Sequence, residues 1–519
     1  MSAALRRRER AAAAAARAMA QSREEAGQEV RDLPPSPPTP TASPPGGAAR
    51  GADSGGRLLR LGGFSSRQPN AHRVTKEQRN WALSAGTGKT KTSFADNLGT
   101  LLLVVLPPPF VLLLWYLYCK LFGELLGFRL MFTYGWSEGF GMLAQSMPGP
   151  SAQGLSYILM WSAYAICTQL YVPGKTVYGP VSPKGNVPAY TANGFQCYVL
   201  TLALFLGGWR FGAFNPAGVY DELGNILFML NVGAIVMCLV LQWKGLHAPS
   251  SSDCGSSGSL LYDFYWGTEL YPRIGDLDIK TFTNCRFGMM GWGVLILCYA
   301  AKQAEDHGQV FNSMFVSVFL QHVYIAKFFL WEAGYWKTMD IAHDRAGFYI
   351  CWGCMVWVPI LYTSPALYLV HNTITLSPTH FTALLTMGLF AIFVNYDADR
   401  QRQAFRASDG KTKIWGEPPI FIEAYYVTSS AHIKKSLLLV SGWWGISRHF
   451  HYVPEILGAL AWSLPGLYRN PSPYFYVIFL TGLLVHRAVR DDVRCLSKYG
   501  KWWGAYCELV PYKLVPYVW

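Results

Sequence analysis

Leu223-Gly-Asn-Ile-Leu-Phe-Met-Leu-Asn-Val-Gly-Ala-Ile-Val-Met-Cys-Leu-Val-Leu-Gln-Trp243 carries no charged residue. A helix rises 1.5 Å per residue, so about 20 apolar residues cross the ~30 Å hydrocarbon core of a bilayer. The run at 222–243 therefore reads as a membrane span. Working outward, further apolar runs occur at roughly 98–122, 155–172, 194–214, 287–303, 312–331, 350–370, 380–395, 455–468 and 473–486. The expectation is an all-α, polytopic membrane helix bundle of about ten transmembrane segments. Pro107-Pro-Pro109 should kink or break the first run. Several runs, mainly near the C-terminus, are shorter than a straight span. Irregular backbone there requires a protein-lined cavity.

Composition agrees. Of 519 residues, 51% are hydrophobic and 14% charged, against about a quarter charged in soluble proteins. Net charge is +13, but the loop charges lie beside apolar runs. Membrane orientation and anionic cofactor groups explain them without a nucleic-acid partner. The 11 Cys are scattered, as expected for reduced thiols rather than a disulfide framework. Residues 1–95 are Ala/Arg-rich, then Pro-, Ser- and Gly-rich, and read as a disordered tail preceding a membrane domain at 96–519. The acidic Glu9, Glu24, Glu25 and Glu29 argue against a transit peptide. Gly86-Thr-Gly-Lys-Thr90 is not a phosphate-binding loop, because Leu83 stands where the motif needs Gly.

Two polar stretches stand out against this background. Ser436-Leu-Leu-Leu-Val-Ser-Gly-Trp-Trp-Gly-Ile-Ser-Arg-His-Phe-His-Tyr452 and His486-Arg-Ala-Val-Arg-Asp-Asp-Val-Arg-Cys-Leu-Ser-Lys-Tyr499, continuing to Tyr506, are dense in Arg, His, Tyr and Trp. Arg and Lys for phosphates and aromatics for a flat ring suit a nucleotide cofactor at the membrane boundary. This places a C-terminal cofactor pocket mainly at 396–519. Tyr324, Lys327 and Glu332 fall in an apolar helical pattern. Ionisable groups inside a span are candidate site residues, although a Lys–Glu pair there can be structural. Asp340, His343 and Asp344 share a helix face as a proton relay or polar network, and Glu269 can pair with Arg273 across a turn. Cys351-Trp-Gly-Cys354 is read as packing. With His449 and His451 as the only close His pair, no metal site is expected.

Glu269-Leu-Tyr-Pro-Arg-Ile-Gly275, Thr338-Met-Asp-Ile-Ala-His-Asp344, Ser441-Gly-Trp-Trp-Gly445, Arg448-His449 and Arg490-Asp491 resemble the sterol reductase family. That family includes Δ14- and Δ7-sterol reductases and the membrane part of the lamin B receptor. The resemblance runs from about Ser93 to Trp519 and is greatest to the plant-type sterol Δ7-reductase branch. Tyr271 and His451 stand where the broader family has Asn, which keeps Δ14 reduction as an alternative.

The resemblance implies an endoplasmic reticulum membrane enzyme that reduces the C7–C8 double bond of a 5,7-diene sterol with NADPH. The cofactor enters from the cytosol and the sterol from the bilayer. NADPH is expected against Arg402, Arg406, Leu439, Trp444, His451, Tyr452, Asp491, Cys495, Leu496, Ser497, Lys498, Tyr499 and Tyr506. Arg402 and Arg406, at i and i+4, can clamp the 2′-phosphate. Tyr324 and Asp491 are the implied catalytic pair. A Tyr of reference pKa ~10 must relay rather than supply a proton alone, and Glu332 is taken as a further relay member. Two other readings compete. A membrane S-adenosylmethionine-dependent methyltransferase shares the Arg-His…Tyr element and Val510-Pro511 but leaves Arg402, Arg406 and 269–275 without a role. A non-catalytic sterol-binding scaffold would carry a folded or basic head; this tail is too Pro-, Ala- and Gly-rich to fold, and the residues implied for the cofactor are present.

Overall fold

A computed structural model describes residues 92–127, 135–182, 184–427 and 433–519. The tail at 1–91 and the rejected phosphate-loop motif within it lie outside the described residues.

The chain is mostly helical. Ser93 caps α1 (Phe94–Val105): its hydroxyl accepts from the Asp96 amide, and the Asp96 carboxylate accepts from the Ser93 amide. The prolines act as expected, ending α1 and opening α2 (Pro107–Cys119), where a missing N–H costs nothing. There follow α3 (Ala152–Tyr171), the hairpin β1–β2 (Lys175–Tyr178, Ala189–Ala192), α4 (Gly194–Arg210) and α5 (Leu223–His247). Next come α6 (Met290–His307), α7 (Asn312–Leu330), α8 (Phe348–Leu369) and α9 (Pro378–Ala407). Wide π-helical turns precede α6 and run through the middle of α8. The hairpin β3–β4 (Phe421–Val427, Ile433–Leu439) then leads to α10 (Tyr452–Ser463), α11 (Phe475–Tyr499) and α12 (Lys501–Leu509). Among the described residues, six helical segments are long and apolar enough to cross a membrane, including Leu223–His247 and Pro378–Ala407. Their exposed Leu, Val and Phe side chains suit a lipid surround.

α9 packs against both α7 and α10, so α9 and α10 carry their polar residues past α7. α9 and α11 extend beyond their apolar parts to the same end of the bundle. There β3–β4 and α12 build a small second core of Ile422, Leu438, Tyr499, Trp503, Tyr506 and Val510. The chain end clasps the preceding loop: Arg448 and His449 amides donate to Tyr512 and Lys513 carbonyls, each at 2.9 Å. The Ser447 hydroxyl donates to Leu514 O at 2.6 Å.

Three pairings differ from the sequence reading. Glu332 does not partner Lys327. It meets Arg286 at 2.5 Å, both side chains being buried, and accepts from the Gly194 amide at 2.9 Å. The carboxylate thus sits on the first turn of α4, where the helix dipole favours negative charge. A side chain at 194 would have its Cβ 2.4 Å from Glu332 Oε2, so only Gly fits. Replacing Glu332 by Ala strands the Arg286 charge and is expected to cost about 3–5 kcal/mol. A markedly lower thermal midpoint in detergent checks this.

Glu269 pairs with Lys244 at 2.8 Å instead of Arg273. The two-residue register Arg273–Ile274 against Leu277–Asp278 sets Arg273 opposite Asp278, 3.5 Å away. Asp340, His343 and Asp344 do not share a long helix, since only Met339–Ala342 is helical. They form a polar clasp: Arg487 donates to Asp340 and Arg490 to Asp344 at 2.8 Å, tying the segment to α11. Burial alone would raise Asp344, but the adjacent His343 and Arg490 hold its carboxyl down at about 2.

Candidate active site

A cavity of about 1210 Å³ runs from this polar end down between α6, α7, α8, α10 and α11. Its inner wall is aromatic, with Trp292, Tyr324, Trp357, Tyr362, Tyr476 and Phe479 lining it. Trp292 centres the cluster, with ring centroids 5.4 Å from Tyr362 and 5.7 Å from Tyr324. Such a wall suits a rigid polycyclic hydrocarbon.

Tyr324 lines this inner part and donates its hydroxyl to Glu455 Oε1 at 2.5 Å. Glu455 Oε2 accepts from Asn395 Nδ2 at 2.9 Å. Asn395 Oδ1 accepts from Lys327, whose ammonium lies 5.3 Å from the centre of the Tyr324 ring. Lys327 therefore pairs through Asn395 with a carboxylate on α10, not with Glu332 on its own chain segment.

The outer end gathers most of the expected cofactor residues. Arg402, Arg406, Leu439, Trp444, His451, Tyr452, Asp491, Cys495, Lys498, Tyr499 and Tyr506 all line the cavity. Leu496 and Ser497 do not. Asp491, Arg494, Cys495 and Lys498 recur at helical spacing on the cavity face of α11, whereas Leu496 is 56% exposed. Glu332 is likewise absent from the wall, held by Arg286 as described.

Arg402 lies 4.1 Å over the Trp444 ring and 3.2 Å from Asp399. Trp444 is itself pinned by its indole N–H donating to Ala398 O at 2.8 Å. One face of this indole is therefore covered by a guanidinium rather than open to a ligand ring. Arg406 is exposed on the wall, and its guanidinium makes no hydrogen bond or ion pair with another described residue. Asp491 is bound by Arg494 and lies 3.9 Å from His449 Nε2. Burial pushes His449 down to about 4, and burial together with Arg402 depresses His451 well below the ordinary imidazole range. Both rings are thus neutral at neutral pH. Burial also raises the Tyr506 phenol.

Buried His449 Nε2, His451 Nδ1 and Arg494 Nε have no hydrogen-bond partner among the described residues. Unpaired buried polar atoms at a cavity wall are what a polar, anionic ligand would satisfy. Together with free Arg406 and the Lys498 ammonium, 4.1 Å over the Tyr426 ring, the donor set fits a phosphate-bearing dinucleotide. No group of three or more His, Cys, Asp or Glu placed to hold a metal occurs among the described residues.

Glu455 and Asn395 were missed in the sequence. The signal was present, since Glu455 opens the apolar run at 455–468. As an ionisable group inside a span, it is a site candidate.

The model of the ergosterol biosynthesis ERG4/ERG24 family matches residues 97–519. The chain is 54% identical over 410 residues to 7-dehydrocholesterol reductase of Arabidopsis thaliana, covering 79% of this chain and 94% of that protein. It is 38% identical to 7-dehydrocholesterol reductase of Xenopus laevis over 372 residues, covering 69% of this chain and 79% of that protein. It is 34% identical to Delta(14)-sterol reductase of Methylotuvimicrobium alcaliphilum over 436 residues, 83% of this chain and 97% of that protein.

Proposed function

The chain belongs to the ergosterol biosynthesis ERG4/ERG24 family, and on that premise we propose that it reduces the C7–C8 double bond of 5,7-diene sterols with NADPH. The observation that carries this reading is one continuous cavity. Its aromatic part includes Tyr324, and its polar part collects Arg406, Lys498 and Asp491. The Arabidopsis and Xenopus relatives support C7 rather than C14 as the position.

The membrane domain comprises 96–519. The helices α3, α4, α6 and α10 join the six segments named above as a bundle of ten spans in the endoplasmic reticulum membrane. The polar end of the cavity faces the cytosol, where NADPH is available, and the sterol enters from the bilayer.

An unactivated ring alkene accepts hydride only after protonation, so a proton donor and a hydride donor must face each other in a dry pocket. Bound NADPH supplies the hydride. Arg406, with Arg402 behind it, holds phosphate oxygens. Asp491 orients the amide or ribose end, and the rings of Tyr452 and Tyr499 border the cofactor. Tyr324 presents its hydroxyl to the sterol ring. The aromatic wall excludes water, which would otherwise capture a carbocation.

Sterol analysis after expression in a yeast strain that accumulates 5,7-dienols tests this directly. The expected result is loss of the diene absorbance and a gain of two hydrogens at C7–C8. Rescue only of a strain lacking Δ14 reduction would assign the alternative reaction, for which the 34% identical Delta(14)-sterol reductase speaks.

A further inference from the structure

Four polar groups linked by hydrogen bonds beside the cavity come from three helices. Tyr324 and Lys327 lie on α7, Asn395 on α9 and Glu455 on α10. Their hydrogen bonds have a direction that can be worked out. An ammonium only donates, so Lys327 must meet the oxygen of the Asn395 amide, which fixes the amide orientation. Asn395 Nδ2 then faces two acceptors, His451 O at 2.8 Å and Glu455 Oε2 at 2.9 Å. Oε2 must therefore accept. Tyr324 donates to Oε1 at 2.5 Å. Once that hydroxyl turns to the sterol, the same contact is filled in the reverse direction by a Glu455 proton on Oε1 donating to Tyr324 Oη.

We propose that Glu455 is the proton reservoir that reloads Tyr324, and that Lys327 and Asn395 are positioning residues that keep this proton on Oε1. This deepens the sterol reductase reading and rests on it. The alkene π pair takes the proton from Tyr324 Oη, leaving a ring carbocation. The phenolate takes the proton from Glu455 Oε1, leaving a carboxylate. The cation is quenched by hydride from the dihydronicotinamide. Glu455 regains a proton from water at the polar end, so the net reaction consumes one hydride and one proton per double bond. Glu455, Asp399 and Arg402 all line the cavity, which supplies the polar path for that return.

The arrangement also explains why four polar groups are kept at this depth. Lys327 has its charge compensated by the amide dipole and the face of the Tyr324 ring. It remains a step removed from the carboxyl it orients.

The test uses the full-length purified protein and has two readouts. Infrared difference spectra of the resting protein in H2O and D2O should contain a protonated-carboxyl C=O stretch that is absent in Glu455→Gln. A spectrum with no such band lost in the variant overturns the proposal, and this measurement needs no sterol. In turnover, Glu455→Gln should lower kcat by about 100-fold or more with NADPH affinity unchanged, and Glu455→Asp should recover part of it. Lys327→Met should lower kcat and enlarge the solvent isotope effect, because the proton is then distributed over both carboxyl oxygens. Full kcat in Glu455→Gln, with the parent active on the diene, sinks the relay while leaving the reductase assignment standing. An inactive parent with the infrared band present would instead count against the reductase assignment alone.

Discussion

Tyr324→Phe is expected to lower kcat for diene reduction by about 10²- to 10⁴-fold, the usual worth of a positioned general acid, with NADPH affinity unchanged. Three observations make this large. Tyr324 lines the cavity, its only hydrogen bond among the described residues runs to Glu455, and the ring packs against Trp292 and Trp462 at 5.7 and 5.4 Å. Phe keeps that packing, so the loss isolates the hydroxyl. Stopped-flow reduction of a 5,7-dienol, beside a separate NADPH binding titration, reads the two effects independently. Retained turnover with intact binding would remove Tyr324 from the chemistry.

Arg406→Ala is expected to weaken NADPH binding by about 10- to 100-fold while leaving the weaker NADH binding nearly unchanged, so that the preference between the two collapses. One charge-assisted contact to a phosphate contributes about 1.5–3 kcal/mol, which sets that range. Arg406 is the chosen position because Arg402 is engaged with Asp399 and Trp444. Removing Arg402 disturbs a wall, whereas removing Arg406 subtracts a single free cation. Titration of both dinucleotides with the variant checks this, and an unchanged NADPH to NADH ratio would contradict the assignment of the 2′-phosphate to this end of α9.

The spans, the polar end and the aromatic-basic character of 436–506 follow from local sequence. Apolar run length against bilayer thickness needs no partner to be known, and the missing N–H and the ring of Pro107 act on the turn just before it. That Arg402 and Arg406 share a face is local in the same sense, since i and i+4 on one helix lie together; their place against the cofactor is what the family resemblance implies. Leu496 and Ser497, set against the cofactor by the same resemblance, do not line the cavity.

Pairing was decided only in three dimensions. Glu332 is near Lys327 in sequence, yet its charge is neutralised by Arg286, 46 residues upstream. Lys327 reaches Glu455 only through Asn395, and those two are 60 residues apart. A buried charge is compensated by whichever opposite or polar groups the packing brings into reach, because an uncompensated charge in low dielectric is costly. The composition of a helix announces that such a charge exists. Which charge answers it, and hence which carboxyl can serve Tyr324, is set by the packing of α9 and α10 against α7.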